Sequence, residues 1–167
     1  MKKENLYEPH SIRTYTGVYF NYLEMDPETI DIEDIAHGLS NTSRWMGQTK
    51  KFYSVAQHCC WCHDATELLP WEKLERLMHD ASEAYLGDCP SPLKVLLPEY
   101  RRLEKKLSKV ISDKYGYSYP YSSLTKEIDN ACLETEWVEM ILGNRVDHWS
   151  PGRAKAEFLK RFNNLKK

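Results

Sequence analysis

The adjacent pair His79 and Asp80 is the feature of this sequence with the clearest chemical potential. It lies in residues 77–86, a stretch that otherwise resembles a buried helix. Glu83 follows His79 by about one helical turn, so the three side chains fall within an arc of roughly 100° on a helix. Burying three ionisable groups together is costly unless a metal ion or a catalytic cavity requires them. The segment therefore predicts a site of one of these two kinds.

Two other helical stretches carry side chains that could complete such a site. His58 and Asp129 each lie on or beside an inward, apolar helix face. Two imidazoles and two carboxylates form a nitrogen and oxygen donor set that suits Co, Mn, Zn, Mg or Fe. We expect one divalent ion, with coordination positions left open for water and substrate, bound by His58, His79, Asp80 and Asp129. The alternative for each is a hydrogen-bonded core residue, and Asp129 could instead pair with Lys126 or Arg145.

Length and composition indicate a single globular domain over residues 1–167. Apolar residues make up 41% of the chain and charged residues 29%, with a formal net charge of -2. Proteins that bind nucleic-acid polymers are more often clearly basic, so we expect no such partner. No apolar run approaches the ~20 residues needed to span a bilayer, and the N-terminus has no apolar signal core. We therefore expect a cytoplasmic protein without a membrane partner.

The five cysteines do not resemble a disulfide framework, because their number is odd and three of them are clustered. The plain interpretation is reduced thiols packed as small apolar side chains. An alternative is that Cys59, Cys62 and His63 form half of a structural zinc site. No second cysteine pair has suitable spacing, which disfavours that alternative.

The predicted elements form an all-α bundle with a short non-helical or β-hairpin segment at the N-terminus. Aromatic and β-branched residues around Gly17 predict the hairpin within residues 11–23. Helical periodicity predicts six helices, over residues 32–40, 54–69, 71–86, 98–115, 123–142 and 152–165. Ser54 is the expected N-cap of the second helix. The basic face of the 98–115 helix is most simply a solvated surface.

The order of a single His, then His-Asp, then a distant Asp on successive helices resembles the HD-domain metal-dependent phosphohydrolases. The likeness is carried by residues 31–40, 44–45, 52–58, 79–88, 90–94 and 129–131, with Glu136. It spans most of the chain, from about Ser11 to Leu142. It is closest to a compact subgroup common in bacteria and their phages. That subgroup includes 5′-deoxynucleotidases and small phage dATP triphosphohydrolases, which both cleave the phosphoester at the 5′ oxygen.

The resemblance implies an HD-domain helical bundle that hydrolyses a small-molecule deoxynucleotide. Glu83 is positioned to accept the proton of the attacking water, or else to orient His79. Asp88 resembles the family residue near the leaving 5′ oxygen, although it could be only a turn residue. Candidate substrate-binding residues are Arg44 and Lys94 at family phosphate positions, Lys126 one turn before Asp129, and Trp45.

Several alternatives remain open from the sequence. Trp45 could stack on the base, pack against the sugar or only anchor its loop. Monophosphate and triphosphate substrates are not distinguished, although three candidate cations slightly favour the longer phosphate chain. A nucleotide-binding protein without turnover is the rival class. The resemblance also implies a homo-oligomer, and the aromatic N-terminal segment could form its interface or cover the protein's own core.

Overall fold

The computed structural model describes residues 8–65, 69–143 and 147–166 and is mostly helical, with a two-stranded hairpin near the N-terminus. The strands are β1 (Ser11–Arg13) and β2 (Tyr19–Asn21). The helices are α1 (Ile32–Asn41), α2 (Val55–Asp64), α3 (Pro70–Met78), α4 (Glu83–Leu86), α5 (Ser91–Lys94), α6 (Pro98–Tyr115), α7 (Ser123–Glu136) and α8 (Pro151–Leu165). Short 3-10 turns cover Pro27–Thr29 and Arg44–Gly47, and a π-helical segment covers Trp137–Leu142. Within the described ranges, no helix has the length and apolar character needed to cross a membrane.

The predicted hairpin is confirmed. Its strands are antiparallel, with Ile12 opposite Phe20. Phe20 is fully buried and packs against the rings of Tyr22 and Tyr85. Part of the aromatic N-terminal segment therefore covers the protein's own core.

The helices α1 and α2 both begin after a capping residue, and Ser54 is the N-cap that the sequence predicts for α2. The side chain of Asp31 accepts a hydrogen bond from the Glu33 amide, and Ser54 accepts one from the Gln57 amide. Such caps satisfy amide donors that the first helical turn leaves unpaired. The prediction that α2 continues to residue 69 was wrong, because the helix ends at Asp64; residues 66–68 lie outside the described ranges.

The single helix predicted over residues 71–86 is interrupted in the structure. The helix α3 ends at Met78, and α4 begins only at Glu83. Between them the chain makes tighter i to i−3 bonds, such as the Ala81 amide to the Met78 carbonyl at 3.0 Å. The hydroxyl of Tyr121 donates to the His79 carbonyl at 2.6 Å. Tyr121, which is distant in sequence, thus donates to a carbonyl that in a continuous helix would accept from the helix's own backbone.

The helices α6 and α8 agree closely with the prediction, and α7 does so in part. The basic side chains of α6 are exposed, as expected of a solvated face. The apolar spacing of the 123–142 segment predicts an inward face formed by Leu124, Ile128, Ala131, Cys132 and Val138. This was partly wrong, since Ala131 is exposed and Val138, in the π-helical segment, is 59% exposed. Thr125 and Glu136 are instead the buried residues of α7. Together, α1, α2, α3, α6 and α8 enclose the main core, and α7 packs against α2 and α3.

Candidate metal centre

The four predicted metal ligands converge. The Nε2 atoms of His58 and His79 lie 3.2 Å apart. The Asp129 Oδ1 atom is 3.1 Å from His58 Nε2 and 3.5 Å from His79 Nε2. The Asp80 Oδ2 atom is 3.6 Å and 3.3 Å from the same two nitrogens. Side chains from α2, α7 and the turn after α3 therefore form one cluster of nitrogen and oxygen donors.

The hydrogen bond that each imidazole makes through Nδ1 decides whether its Nε2 atom carries a proton. His79 Nδ1 lies 2.7 Å from the Arg76 carbonyl, which can only accept, so Nδ1 carries the proton. His58 Nδ1 donates to Glu136, whose pKa is lowered although burial opposes it, because His58 and Arg44 favour the carboxylate. In neutral imidazoles, both Nε2 lone pairs would then face each other. Such an arrangement is unfavourable without a cation between them, so the donor set fits a divalent ion.

In the absence of a metal ion, the carboxylates of the cluster raise the pKa of both imidazoles. Burial opposes the charged form of His79, but Asp80 and Asp129 outweigh it and raise the His79 pKa well above its ordinary value. The pKa of His58 is also raised against the effect of burial and of Arg44, through Glu136 and Asp129. The site therefore favours positive charge between its histidines.

Glu136 is a fully buried carboxylate that links the metal cluster to the loop after α1. It accepts hydrogen bonds from Arg44 Nε and Nη2, at 3.2 and 3.1 Å, and from Trp45 Nε1 at 3.2 Å. The hydroxyl of Tyr53 donates to it at 3.0 Å, and His58 donates through Nδ1. The sequence prediction noted Glu136 only as part of a family likeness. Its position two helical turns after Asp129 is the signal that would have indicated a shared face.

A cavity of about 250 Å³ lies beside the cluster. Most of the predicted site residues line it, namely Arg44, Trp45, Asp80, Glu83, Asp88, Lys94 and Asp129. His58 and His79 are buried behind Asp80 and Asp129. Lys126 does not line the cavity, and its side chain is exposed on α7.

The pKa values of the two predicted catalytic carboxyls are both raised. Burial, with the charges of Asp80 and Asp88, raises the pKa of Glu83 well above its ordinary value. Burial also raises the pKa of Asp88, although Arg44 opposes this. Glu83 is 6% exposed, and its Oε2 atom has no hydrogen-bond partner among the described residues. Perturbed carboxyls beside a cavity are typical of functional sites.

Both cations that line the cavity in the described part of the chain already have carboxylate partners. Arg44 contacts Glu136 and also approaches Asp80, with Nη1 3.4 Å from Oδ2. Lys94 Nζ lies 2.6 Å from Glu104. Their positive charge is thus partly compensated before any anion binds.

Trp45 both anchors its loop and faces the cavity. Its indole nitrogen donates to Glu136, and its ring centroid is 5.8 Å from that of Trp137. Trp45 and Met46 adopt left-handed backbone conformations, with φ of 57° and 53°. Such conformations cost about 1–3 kcal/mol each in residues other than glycine and persist where surrounding contacts hold them. The hydrogen bond to Glu136 is one such contact.

The cysteine cluster does not form the alternative structural zinc site. His63 Nδ1 is 2.7 Å from the carboxylate of Asp64, and His63 joins neither group of clustered ligand atoms in the described chain. Cys62 instead lies against the metal cluster, with Sγ 3.5 Å from His58 Nε2. The sequence prediction missed this contact, although the i, i+4 spacing of His58 and Cys62 could have indicated it.

Comparisons with known proteins identify relatives over most of the chain. No protein-family model matches it. The uncharacterized protein YfdR of Escherichia coli (strain K12) is 40% identical over 92% of this chain and 94% of its own length. The uncharacterized protein RCAP_rcc00048 of Rhodobacter capsulatus is 35% identical over 62% of this chain, which corresponds to 57% of that protein. Identity at this level over nearly the full length of YfdR shows that the chain belongs to the same protein family as YfdR.

Proposed function

We propose that this protein is an HD-domain, metal-dependent phosphohydrolase that removes the 5′ phosphate from deoxynucleoside monophosphates. The observation that carries the proposal is the convergence of two imidazole nitrogens and two carboxylates beside a cavity whose wall holds Glu83, Asp88 and Arg44. The preference for deoxynucleotides comes from the sequence resemblance.

The ion would be held by His58, His79, Asp80 and Asp129. When bound, it supplies positive charge that polarises a phosphoryl oxygen and makes a nearby water easier to deprotonate. The ion's positive charge, like that of Arg44, would favour the carboxylate form of Glu83 against the effect of burial. Glu83 then accepts the proton of the attacking water at its unpartnered Oε2 atom. Asp88, whose raised pKa favours the protonated form, donates a proton to the leaving 5′ oxygen.

Arg44 and Trp45 orient the substrate in this mechanism. The contact between Arg44 Nη1 and Asp80 is long, at 3.4 Å, so this nitrogen can donate to a phosphate oxygen while Nε and Nη2 stay on Glu136. Trp45 offers an aromatic face at the cavity wall to the base or the sugar.

The cavity wall favours a monophosphate over a triphosphate. Its cations among the described residues are Arg44 and Lys94, and each already faces a carboxylate. Lys126, which would have contributed to binding a longer phosphate chain, points to solvent. A triphosphate carries more negative charge than this wall compensates. Hydrolysis of dATP or another dNTP to triphosphate remains the alternative reaction.

The test is product analysis with protein stripped of metal and resupplied with Co, Mn, Zn, Mg or Fe. The four deoxynucleoside mono- and triphosphates and the matching ribonucleotides are assayed in parallel, and nucleosides are separated by chromatography. We expect metal-dependent release of deoxynucleoside and phosphate. Asp80→Asn should lower turnover by at least about 100-fold, since loss of an outer-shell partner alone typically costs 10–100-fold. Asp113→Asn, at an exposed position of α6, is the matched control and should keep full turnover.

Each other outcome contradicts part of the proposal. Triphosphate release from a dNTP, without monophosphate hydrolysis, would identify the alternative reaction. Nucleotide binding without turnover under any metal would favour the non-catalytic binding protein.

A further inference from the structure

The carbonyl of His79 belongs to the peptide that joins two candidate metal ligands, His79 and Asp80. In the interruption between α3 and α4, this carbonyl accepts a hydrogen bond from the Tyr121 hydroxyl at 2.6 Å. No backbone amide in the described ranges donates to it. The rings of Tyr121 and His79 are also nearly perpendicular, with centroids 6.4 Å apart. Tyr121 therefore lies against both the backbone and the side chain of this ligand.

A hydrogen bond to this carbonyl acts on two ligands at once. Because the peptide bond is planar, the carbonyl oxygen and the Cα atoms of His79 and Asp80 lie in one plane. Holding the oxygen holds the rotation of that plane, and with it the directions in which both side chains leave the backbone. On a regular helix, adjacent side chains diverge by about 100°, yet His79 Nε2 and Asp80 Oδ2 lie 3.3 Å apart. The orientation of this peptide thus helps to bring both donor atoms to one ion.

Tyr121 is itself held in place by the residue that follows it. The amide and the hydroxyl of Ser122, the N-cap of α7, donate to Glu75 Oε1 on α3 at 2.8 and 2.7 Å. Burial raises the pKa of Tyr121 above its ordinary value, so its hydroxyl keeps the proton that it donates. The segment continues directly into α7, the helix that carries Asp129. It therefore connects the turn that holds two ligands to the helix that holds another.

We propose that Tyr121 is a positioning residue of the metal site, whose hydroxyl orients the peptide between His79 and Asp80 so that both side chains reach the ion. This inference rests on the metal site of the proposed function. Tyr121 does not line the cavity, so it acts on the reaction through the two ligands and not through the nucleotide.

Tyr117 provides the matched control. Its hydroxyl donates to the carbonyl of Met78, the residue just before His79, at 3.3 Å. Met78 offers no side chain to the metal cluster, and its carbonyl also accepts from the Ala81 amide at 3.0 Å. Phenylalanine variants at the two tyrosines therefore lose the same kind of hydroxyl group at neighbouring carbonyls, but only one of these carbonyls belongs to a ligand.

The experiment is a calorimetric Co²⁺ titration of metal-free wild type, Tyr121→Phe and Tyr117→Phe, after urea denaturation has shown that each is folded under the conditions used. We expect Tyr121→Phe to bind Co²⁺ about 10–100-fold more weakly, the range typical for loss of a group that orients a metal ligand. Tyr117→Phe should bind Co²⁺ like the wild type. At saturating Co²⁺, Tyr121→Phe should also lower kcat by about 10-fold and leave KM for the nucleotide unchanged, because misplaced ligands impair the reaction and not the cavity wall.

The outcomes separate this inference from the proposed function. Co²⁺ affinity and kcat of Tyr121→Phe equal to those of the wild type would overturn the role of Tyr121 and leave the proposed function intact. Equal losses of affinity in both variants would also overturn it. Weaker Co²⁺ binding by Tyr121→Phe alone, without nucleotide turnover by any form, would support the inference and contradict the proposed function. Absence of Co²⁺ binding by the wild type would overturn both.

A second variant applies if circular dichroism shows that Tyr121→Phe does not fold. Replacement of Tyr121 by p-aminophenylalanine keeps the ring and a weaker hydrogen-bond donor. We expect a smaller loss of Co²⁺ affinity in that variant, and an affinity equal to that of the wild type would refute the inference.

Discussion

Replacing Glu136 with Gln should weaken both the fold and the metal site. The buried carboxylate accepts from Arg44, Trp45, Tyr53 and His58 through its two oxygens. The amide of Gln has nearly the same shape but offers one oxygen and one NH₂ group. At least one of the donors that contact Glu136 must then face the NH₂ group, which cannot accept its hydrogen bond.

The magnitude follows from the partners that remain. Removing one member of a buried ion pair typically costs about 3–5 kcal/mol of stability. Arg44 keeps a second carboxylate, Asp80, at 3.4 Å, so we expect the lower end, about 3 kcal/mol. If the new NH₂ group faces His58, the imidazole must accept at Nδ1 and carry its proton on Nε2, the atom that would bind the metal. We therefore expect metal affinity to fall by about 10–100-fold.

Urea denaturation of the metal-free protein measures the first effect, and calorimetric Co²⁺ titration measures the second. Glu134→Gln is the matched control, because Glu134 lies on the same helix but is exposed. Its stability should stay within about 0.5 kcal/mol of the wild type. If Glu136→Gln matched this control in both stability and Co²⁺ affinity, Glu136 would not orient His58 and the interpretation of the network would be refuted.

Three other predictions follow from the cavity and its supports. Lys94→Met should raise KM for the nucleotide in steady-state kinetics, because Lys94 lines the cavity. Lys126→Met is its control and should leave KM unchanged, because Lys126 is exposed outside the cavity. Equal effects of the two substitutions would contradict this placement of the two cations. Glu83→Gln should abolish turnover yet stabilise the metal-free protein. Because the folded-state pKa of Glu83 is raised, its ionisation destabilises the fold as pH rises above about 4.5, by about 1.4 kcal/mol for each unit of pKa shift. The stability gain, measured by urea denaturation, should therefore vanish below pH 4.5 and grow toward neutral pH; a gain independent of pH would exclude this cause. Gly38→Ala should destabilise the protein by about 1–3 kcal/mol, because the new Cβ would lie 2.8 Å from a backbone oxygen of α4. Gly152→Ala, with open space around it, is its control, and similar unfolding midpoints for the two variants would argue against that close packing.

Local signals predicted the beginnings of elements well. The side chains of Asp31 and Ser54 satisfy amides in the first turns of α1 and α2, an interaction that depends only on neighbours in sequence. The hairpin around Gly17 depends on equally local geometry, with a φ of 92° that glycine adopts readily. Long-range contacts were less predictable. Periodicity alone would continue α3 through His79, whereas the hydroxyl of Tyr121 holds the interrupted backbone.

The sequence by itself determined which atoms could bind a metal ion, because few side chains offer suitable donors and four of them lie on or beside predicted helices. Only the tertiary structure decided which other groups surround that ion. Helical periodicity specifies the angle between residues of one helix, but packing against other helices decides which way each face points. That rotation turns Lys126 to solvent, buries Glu136 against His58 and Arg44, and brings Cys62 to the metal cluster.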